Sequence, residues 1–244
     1  MSEGERADGN DRPSVAILPF DGGTADITEA IRAAGGVVEA GIGAAAAADF
    51  AMALGSDALA DLATADVSTP VFPVAADGIR PANIERVLAG RYTVEKRPLV
   101  AVETADASVH ALFDITLSTA MAATISEFSL DSPAHDSPIA RFRADGVATT
   151  TPAGSRGYAH AAGGPVVVHG SDVLTVVPIS PFATDPDHWV LPLSGLSLTV
   201  ERDDADVELL VDGRVAGTVE SGSAVRLAQA GTLPVVSLPE SGRE

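Results

Sequence analysis

Residues 145–165 read DGVATTTPAGSRGYAHAAGGP, and the reading of this stretch decides the fold. The chain leaves an apolar strand and passes through a burst of hydroxyls and small residues. It then meets one tyrosine, an alanine-rich segment and a Gly-Gly-Pro stop. Two readings are open. The stretch is a strand-to-helix turn with a packed tyrosine, or it is a cradle in which the ring of Tyr158 stacks on something flat and polar. Both make Tyr158 to Ala162 a short helix, the one clear helix in its half of the chain.

Around it lie short β-patterned segments punctuated by turn residues: TVEKRPLVAVETA, ALFDITLS, TISEFSLD, PIARFRADGVATTT, GPVVVHG, VLTVVPIS, LSLTVE, VELLVDGRVAGTVE and AVRLAQA. Asp212-Gly213 inside LLVDGRVAG is a hairpin signal. Many short strands in series predict a β-sandwich. Upstream of Tyr92 the texture differs. VAILPF from Val15 to Phe20 suits a buried strand, and TADITEAIRAAGG a helix with Thr24 or Asp26 as N-cap and a Gly-Gly stop. VVEAGIG, ADFAMALG and PVFPVA read as further strands. A GSD turn leads into a helix over ALADLATA, and Pro81 opens another over PANIERVLAG. Alternating strands and helices predict a parallel, helix-covered sheet. The expected fold is an α/β N-terminal domain plus a β-sandwich C-terminal domain. Its expected boundaries are a disordered leader over 1–13, domains over 14–92 and 93–237, and a tail over 238–244.

Composition narrows the partners. The chain has 244 residues, of which 46% are hydrophobic and 4% aromatic. It can therefore bury a core, and must build it from Val, Leu, Ile and Ala. Asp and Glu outnumber Lys and Arg by 34 to 15, for a net charge of -19. Such a field repels phosphate backbones and anionic lipid heads, so neither nucleic acid nor a membrane surface is an expected partner. Lys96 is the only lysine. An acidic, lysine-poor surface suits a halophilic protein from a high-salt cytoplasm, where screening relieves self-repulsion. The absence of cysteine excludes disulfides and thiolate chemistry. The polar N-terminus shows no apolar signal segment, so a soluble cytoplasmic protein is expected.

Few residues invite chemistry. In ALGSDALADLA a strand ends, a small-residue turn carries Asp57, and a helix begins. Backbone amides and a helix N-terminus there suit a phosphate, and Asp57 suits proton abstraction. Asp57 as a plain helix cap stays open. The five histidines lack metal-ligand spacing. Trp189 reads as an anchor at a strand start, and Ser155 lies on no nucleophile elbow.

FRADGVATTTPAGSRGYAHAAGGPVV resembles the signature of the NAD kinase family: Arg/Lys-x-Asp-Gly, then Thr-Pro-Thr-Gly-Ser-Thr-Ala-Tyr, a short helix and Gly-Gly-Pro. ALGSDALADLA stands where that family has Leu-Gly-Gly-Asp-Gly-Thr, ALFDITLS where it has Ala-Leu-Asn-Glu, LLVDGRVAG where it has Val-Asp-Gly, and VVPISPF at its Pro-Ile-x-Pro segment. The resemblance runs over roughly residues 45–228 and implies the same two-part fold. It implies that ATP, with a divalent cation such as Mg²⁺, phosphorylates the adenosine-ribose 2′-hydroxyl of NAD to give NADP. Asp57 would be the catalytic base, and Gly55, Ser56 and Ala58 the phosphate turn. Asp114, Arg143, Asp145 and Tyr158 would contact the dinucleotide, with Thr151, Ser155 and Arg156 in its cradle. A homodimer or homotetramer is also implied.

The departures cluster at that presumed site. Gly-Gly-Asp-Gly has become Gly55-Ser56-Asp57-Ala58, and Asn-Glu has become Phe113-Asp114. Arg156 replaces a small hydroxyl, and VAADGIRPAN lacks the Gly-Phe-Leu segment. If the altered glycines need a positive φ or close approach to phosphate, a Cβ obstructs both. Two further readings therefore stand beside the kinase. One is a dinucleotide-binding paralogue with a regulatory or assembly role. The other is a kinase of lipids or sugars, which the Tyr158 helix and the Val-Asp-Gly hairpin argue against.

Overall fold

The computed structural model describes residues 12–19, 24–65, 67–75, 78–121, 124–202 and 206–238. The expected leader, apart from Arg12 and Pro13, lies outside them, as do Phe20 and the expected tail beyond Leu238. Two compact units emerge. One holds the chain up to Ala58, Val67–Val94 and the stretch from Val235. The other holds Leu59–Asp66 and Glu95–Pro234.

In the first unit, β1 (Ser14–Leu18), β2 (Val37–Ala40), β3 (Phe50–Leu54) and β4 (Val71–Val74) form a parallel sheet in the order β2-β1-β3-β4. Val235 of the last strand, β16 (Ala224–Ser237), pairs parallel with Val71. Val15 to Leu18 of β1 are all buried, as a parallel strand covered on both faces requires. The helices are α1 (Ala25–Ala33), α2 (Ile42–Ala45), the start of α3 (Gly55–Thr64), whose residues from Leu59 onward belong to the second unit, and α4 (Pro81–Leu88). Ile27 and Ile31 of α1 recur at helical spacing, as do Ile84, Val87 and Leu88 of α4. Both sets bury against Ile17, Phe50 and Met52. Each such side chain contributes about 1.5–3 kcal/mol on burial. Pro81 stands in the first turn of α4, as expected. Thr24 is the N-cap residue of α1 but makes no side-chain cap bond there.

The second unit is a β-sandwich. One sheet runs β16, β13 (Leu196–Arg202), β8 (Ser126–Asp131) and β9 (Ala140–Ala144), and β5 (Thr93–Glu103) pairs with β16 and with β6 (Ser108–Ala111). The other runs β12 (Trp189–Pro192), β11 (Val173–Ile179), β10 (Gly146–Thr150), β7 (Asp114–Thr119), β14 (Val207–Val211) and β15 (Arg214–Val219), antiparallel throughout. Ile115, Leu117, Phe128, Val147, Leu198 and Leu209 meet in the core between the sheets. β10 is buried along its whole length. Val147 faces that core, while Ala148 and Val177 face Ala159 of the short helix α5 (Tyr158–Ala161). Asp212 and Gly213 both have positive φ, 49° and 77°, the type I′ pair expected of a two-residue hairpin.

Five local expectations are corrected. PIARFRADGVATTT is not one strand, because it breaks at Asp145 into β9 of one sheet and β10 of the other. GSD is not a turn before a helix, because α3 starts at Gly55 directly after β3. GPVVVHG is not a strand. It has no strand pairing, and two of its N–H groups turn back instead, Gly164 to Ala159 O and Val167 to the Ser155 hydroxyl. AVRLAQA is only the start of the longer β16, and the Gly-Ile-Gly end of VVEAGIG enters α2 rather than a strand. Trp189 does stand at a strand start. No helix among the described residues is long and apolar enough to cross a membrane.

Candidate functional site

In the first unit, the strand-to-helix junction is built on one glycine. Gly55 has φ +83°, a conformation that side chains resist, and open space where a Cβ would stand. It carries the chain from β3 into α3. Ser56 and Asp57 are exposed in the first helical turn, while Ala58 turns inward and is 3% exposed. A carboxylate in a first turn is favoured by the helix dipole. Neither Ser56 nor Ala58 has a positive φ. The side chains that replace glycine in the resembled motif therefore impose no left-handed strain. The residue that needs to be glycine is one.

In the second unit, the hydroxyl-rich turn is a backbone lock. The Thr151 hydroxyl donates to Leu112 O at 2.6 Å and accepts from Ala153 N–H at 3.1 Å. The Ser155 hydroxyl contacts Pro152 O at 2.9 Å and Val167 O at 3.1 Å, and accepts from Val167 N–H at 3.2 Å. Both residues are buried. Gly154 lies so close to Phe113 that a Cβ would stand 2.2 Å from its carbonyl oxygen. The small residues and hydroxyls thus let one backbone lie against another. What the turn presents outward is Arg156, Gly157 and Tyr158, all exposed.

Sequence reasoning saw Asp212 only as a turn residue. Its carboxylate accepts three backbone N–H bonds, from Leu112 at 2.9 Å, Phe113 at 2.7 Å and Asp114 at 3.0 Å. This pins the segment on which Gly154 rests. Burial, and then the neighbouring Asp212 carboxylate, push the Asp114 carboxyl above its ordinary range. Burial also raises Asp212, against the pull of its three N–H donors and of Arg214. An aspartate at the first position of a two-residue hairpin was the available signal, since a short carboxylate readily bonds nearby amides. Arg214, beyond the turn, pairs with Asp61 of α3.

Arg143 is exposed on β9, with its guanidinium 5.7 Å from the Phe182 ring centroid. Phe142 stacks on Trp189 at 5.4 Å. These side chains line a cleft of about 570 Å³ with Pro178 and Asp187. Asp145 follows at the bend into β10. Its N–H donates to Ile179 O and its carbonyl accepts from Thr119 N–H. Among the described residues, no three His, Asp or Glu side chains gather as a metal cage would need.

The chain thus comprises a parallel α/β unit, with a glycine-led helix start bearing a carboxylate, and an antiparallel sandwich with a glycine-locked turn, the two-part class expected from the sequence. The family model described as the ATP-NAD kinase C-terminal domain matches residues 113–234, half of the chain. The chain belongs to the NAD kinase family. An NAD kinase of Symbiobacterium thermophilum is 34% identical over 165 residues, 65% of this chain and 58% of that protein. One from Nitratidesulfovibrio vulgaris is 33% identical over 155 residues, 61% of this chain and 54% of its own. The chain thus spans little more than half the length of these curated relatives. In fold it is similar to the crystal structure of an Archaeoglobus fulgidus NAD kinase in complex with ATP. That likeness has a TM-score of 0.76 and 21% identity, and covers 93% of this chain and 94% of the other. Yeast NADH kinase complexed with NADH gives a TM-score of 0.74 at 17% identity, over 95% and 85% of the two chains.

Proposed function

We propose that this protein phosphorylates the adenosine-ribose 2′-hydroxyl of NAD with ATP, giving NADP and ADP. The observation that carries the reading is the Gly55–Asp57 junction. Within the Gly55–Ala58 stretch the only position with a left-handed backbone is a glycine, and the carboxylate beyond it is exposed. In this reading Asp57 takes the 2′-hydroxyl proton as that oxygen attacks the γ-phosphorus. The bond from phosphorus to the bridging oxygen breaks, and ADP leaves with the electron pair. Gly55, Ser56 and Ala58 form the phosphate turn. Asp114, Arg143, Asp145 and Tyr158 hold the dinucleotide. Arg156 adds a cation toward its phosphates, and Thr151 and Ser155 shape the cradle.

A divalent cation fits only as a guest of the nucleotide. With no cage of three ligands among the described residues, Mg²⁺ would arrive on ATP phosphates and meet one or two carboxylates, as it commonly does. Its chemistry there would be to neutralise phosphate charge. We also propose a halophilic cytoplasmic setting and a homodimer or homotetramer.

A second reading has its own observation. Phe113 offers no amide to a polar ligand, and the Thr151 and Ser155 hydroxyls are spent on backbone partners. A paralogue that binds dinucleotide without turnover would look like this. The deciding assay is NADP formation from NAD, ATP and Mg²⁺ in molar KCl, with Asp57→Asn beside the native chain. NADP that disappears in the variant supports the kinase. Absence of NADP together with a rise in melting temperature on adding NAD supports the paralogue.

A further inference from the structure

Two clefts of the second unit meet at His169. One, of about 330 Å³, is lined by Glu95, Lys96, Arg97, Pro152, Ala153 and His169 among others. The other, of about 250 Å³, shares Pro152, Ala153 and His169 and adds Arg156. In a chain of net charge -19, the single lysine and two arginines converge on this double cleft. Glu95 is the only carboxylate among its lining residues.

Arg97 carries the strongest signal. Its Nε is buried without a hydrogen-bond partner among the described residues. Burial lowers the affinity of the guanidinium for its proton, and the Glu95 carboxylate partly restores it. Glu95 balances some of the charge, but the buried Nε–H donor is still unmet, which is costly until an acceptor reaches it. Burial first, and then the fields of Arg97 and Arg156 against that of Glu95, hold the His169 pKa below its ordinary value. The cleft is therefore preorganised for negative charge. Arginine supplies a planar fork of donors, and lysine a compact point charge, the pairing that suits phosphoryl oxygens.

We propose that this double cleft binds a phosphoryl dianion, either as a free oxoanion or as the phosphate of a small phosphorylated molecule. Of the residues assigned above to NAD phosphorylation, only Thr151's neighbours in the turn, Ser155 and Arg156, border it. The proposal does not rest on the kinase reading.

Isothermal titration of the full chain with pyrophosphate and with glycerol 3-phosphate, neither a substrate nor a product of the proposed kinase, at constant ionic strength, tests it. Saturable one-to-one binding of at least one probe is expected. Lys96→Gln and Arg97→Gln should each weaken it by about tenfold, the usual scale for a charge-assisted contact, while Asp57→Asn leaves it unchanged. Tighter binding of pyrophosphate identifies a free oxoanion as the ligand, and tighter binding of glycerol 3-phosphate a phosphorylated molecule. Should Arg97→Gln fail to fold, the exposed Lys96→Gln and His169→Gln decide the matter. No saturable binding at millimolar concentration overturns the proposal. So does binding that ignores the Lys96 and Arg97 variants, or that follows Asp57 instead.

Discussion

At the scale of single residues, Gly154 and Asp212 do more than their types suggest. A methyl at Gly154 would stand 2.2 Å from the Phe113 carbonyl oxygen, and the obstacle is backbone, which cannot swing aside. Gly154→Ala should therefore cost at least about 3 kcal/mol, the upper range for overpacking, or prevent folding. Thermal or urea unfolding would measure this, and a stability within error of the native chain would refute the lock. Asp212→Ala strips three backbone N–H groups of their acceptor and should lower stability by about 2–4 kcal/mol, more than one ordinary bond. Asp212→Asn keeps an acceptor and tolerates the left-handed backbone, so its loss should be smaller. Equal losses in the two variants would show that the amide bonds carry little of the effect.

At the scale of elements, β7 and the β14–β15 hairpin bring two carboxylates together. Asp114 has a raised pKa in the folded chain, chiefly from burial and then from Asp212. The folded state therefore holds that proton more tightly than the unfolded state does. The resulting stabilisation is present below the ordinary carboxylate range and is lost as pH rises through the folded value. Asp114→Asn should thus raise the melting temperature at neutral pH and change it little below about pH 4, where the unperturbed carboxyl is itself protonated. A variant that melts lower than the native chain at neutral pH would contradict this sign.

At the scale of the molecule, net charge dominates. With -19 formal charges, self-repulsion is substantial at low salt. Between about 0.1 M and 1 M salt the Debye length falls from ~10 Å to ~3 Å. The melting temperature should rise by several degrees over that range in KCl, as scanning calorimetry can record. A flat or falling response would remove the physical basis for the high-salt reading.

The sequence by itself determined the order and type of most elements. Apolar runs such as Val15 to Leu18, the helical spacing of Ile84, Val87 and Leu88, and Asp-Gly at the hairpin are local signals, and local signals survive into the fold. The NAD kinase signature was legible for the same reason, because its motifs are contiguous. Tertiary structure decided what no window could contain. GPVVVHG has strand-like composition, yet its amides bond to Ala159 and Ser155 rather than to a partner strand. The hydroxyls of Thr151 and Ser155 resembled ligand donors until their backbone partners, up to 39 residues away, came into place. Asp212 reaches amides about 100 residues earlier in the chain. Lys96, Arg97, Arg156 and His169 form one charged cleft only because strand and turn are brought together. Hydrogen bonds and charge act over ångströms of space, and sequence separation does not report that distance.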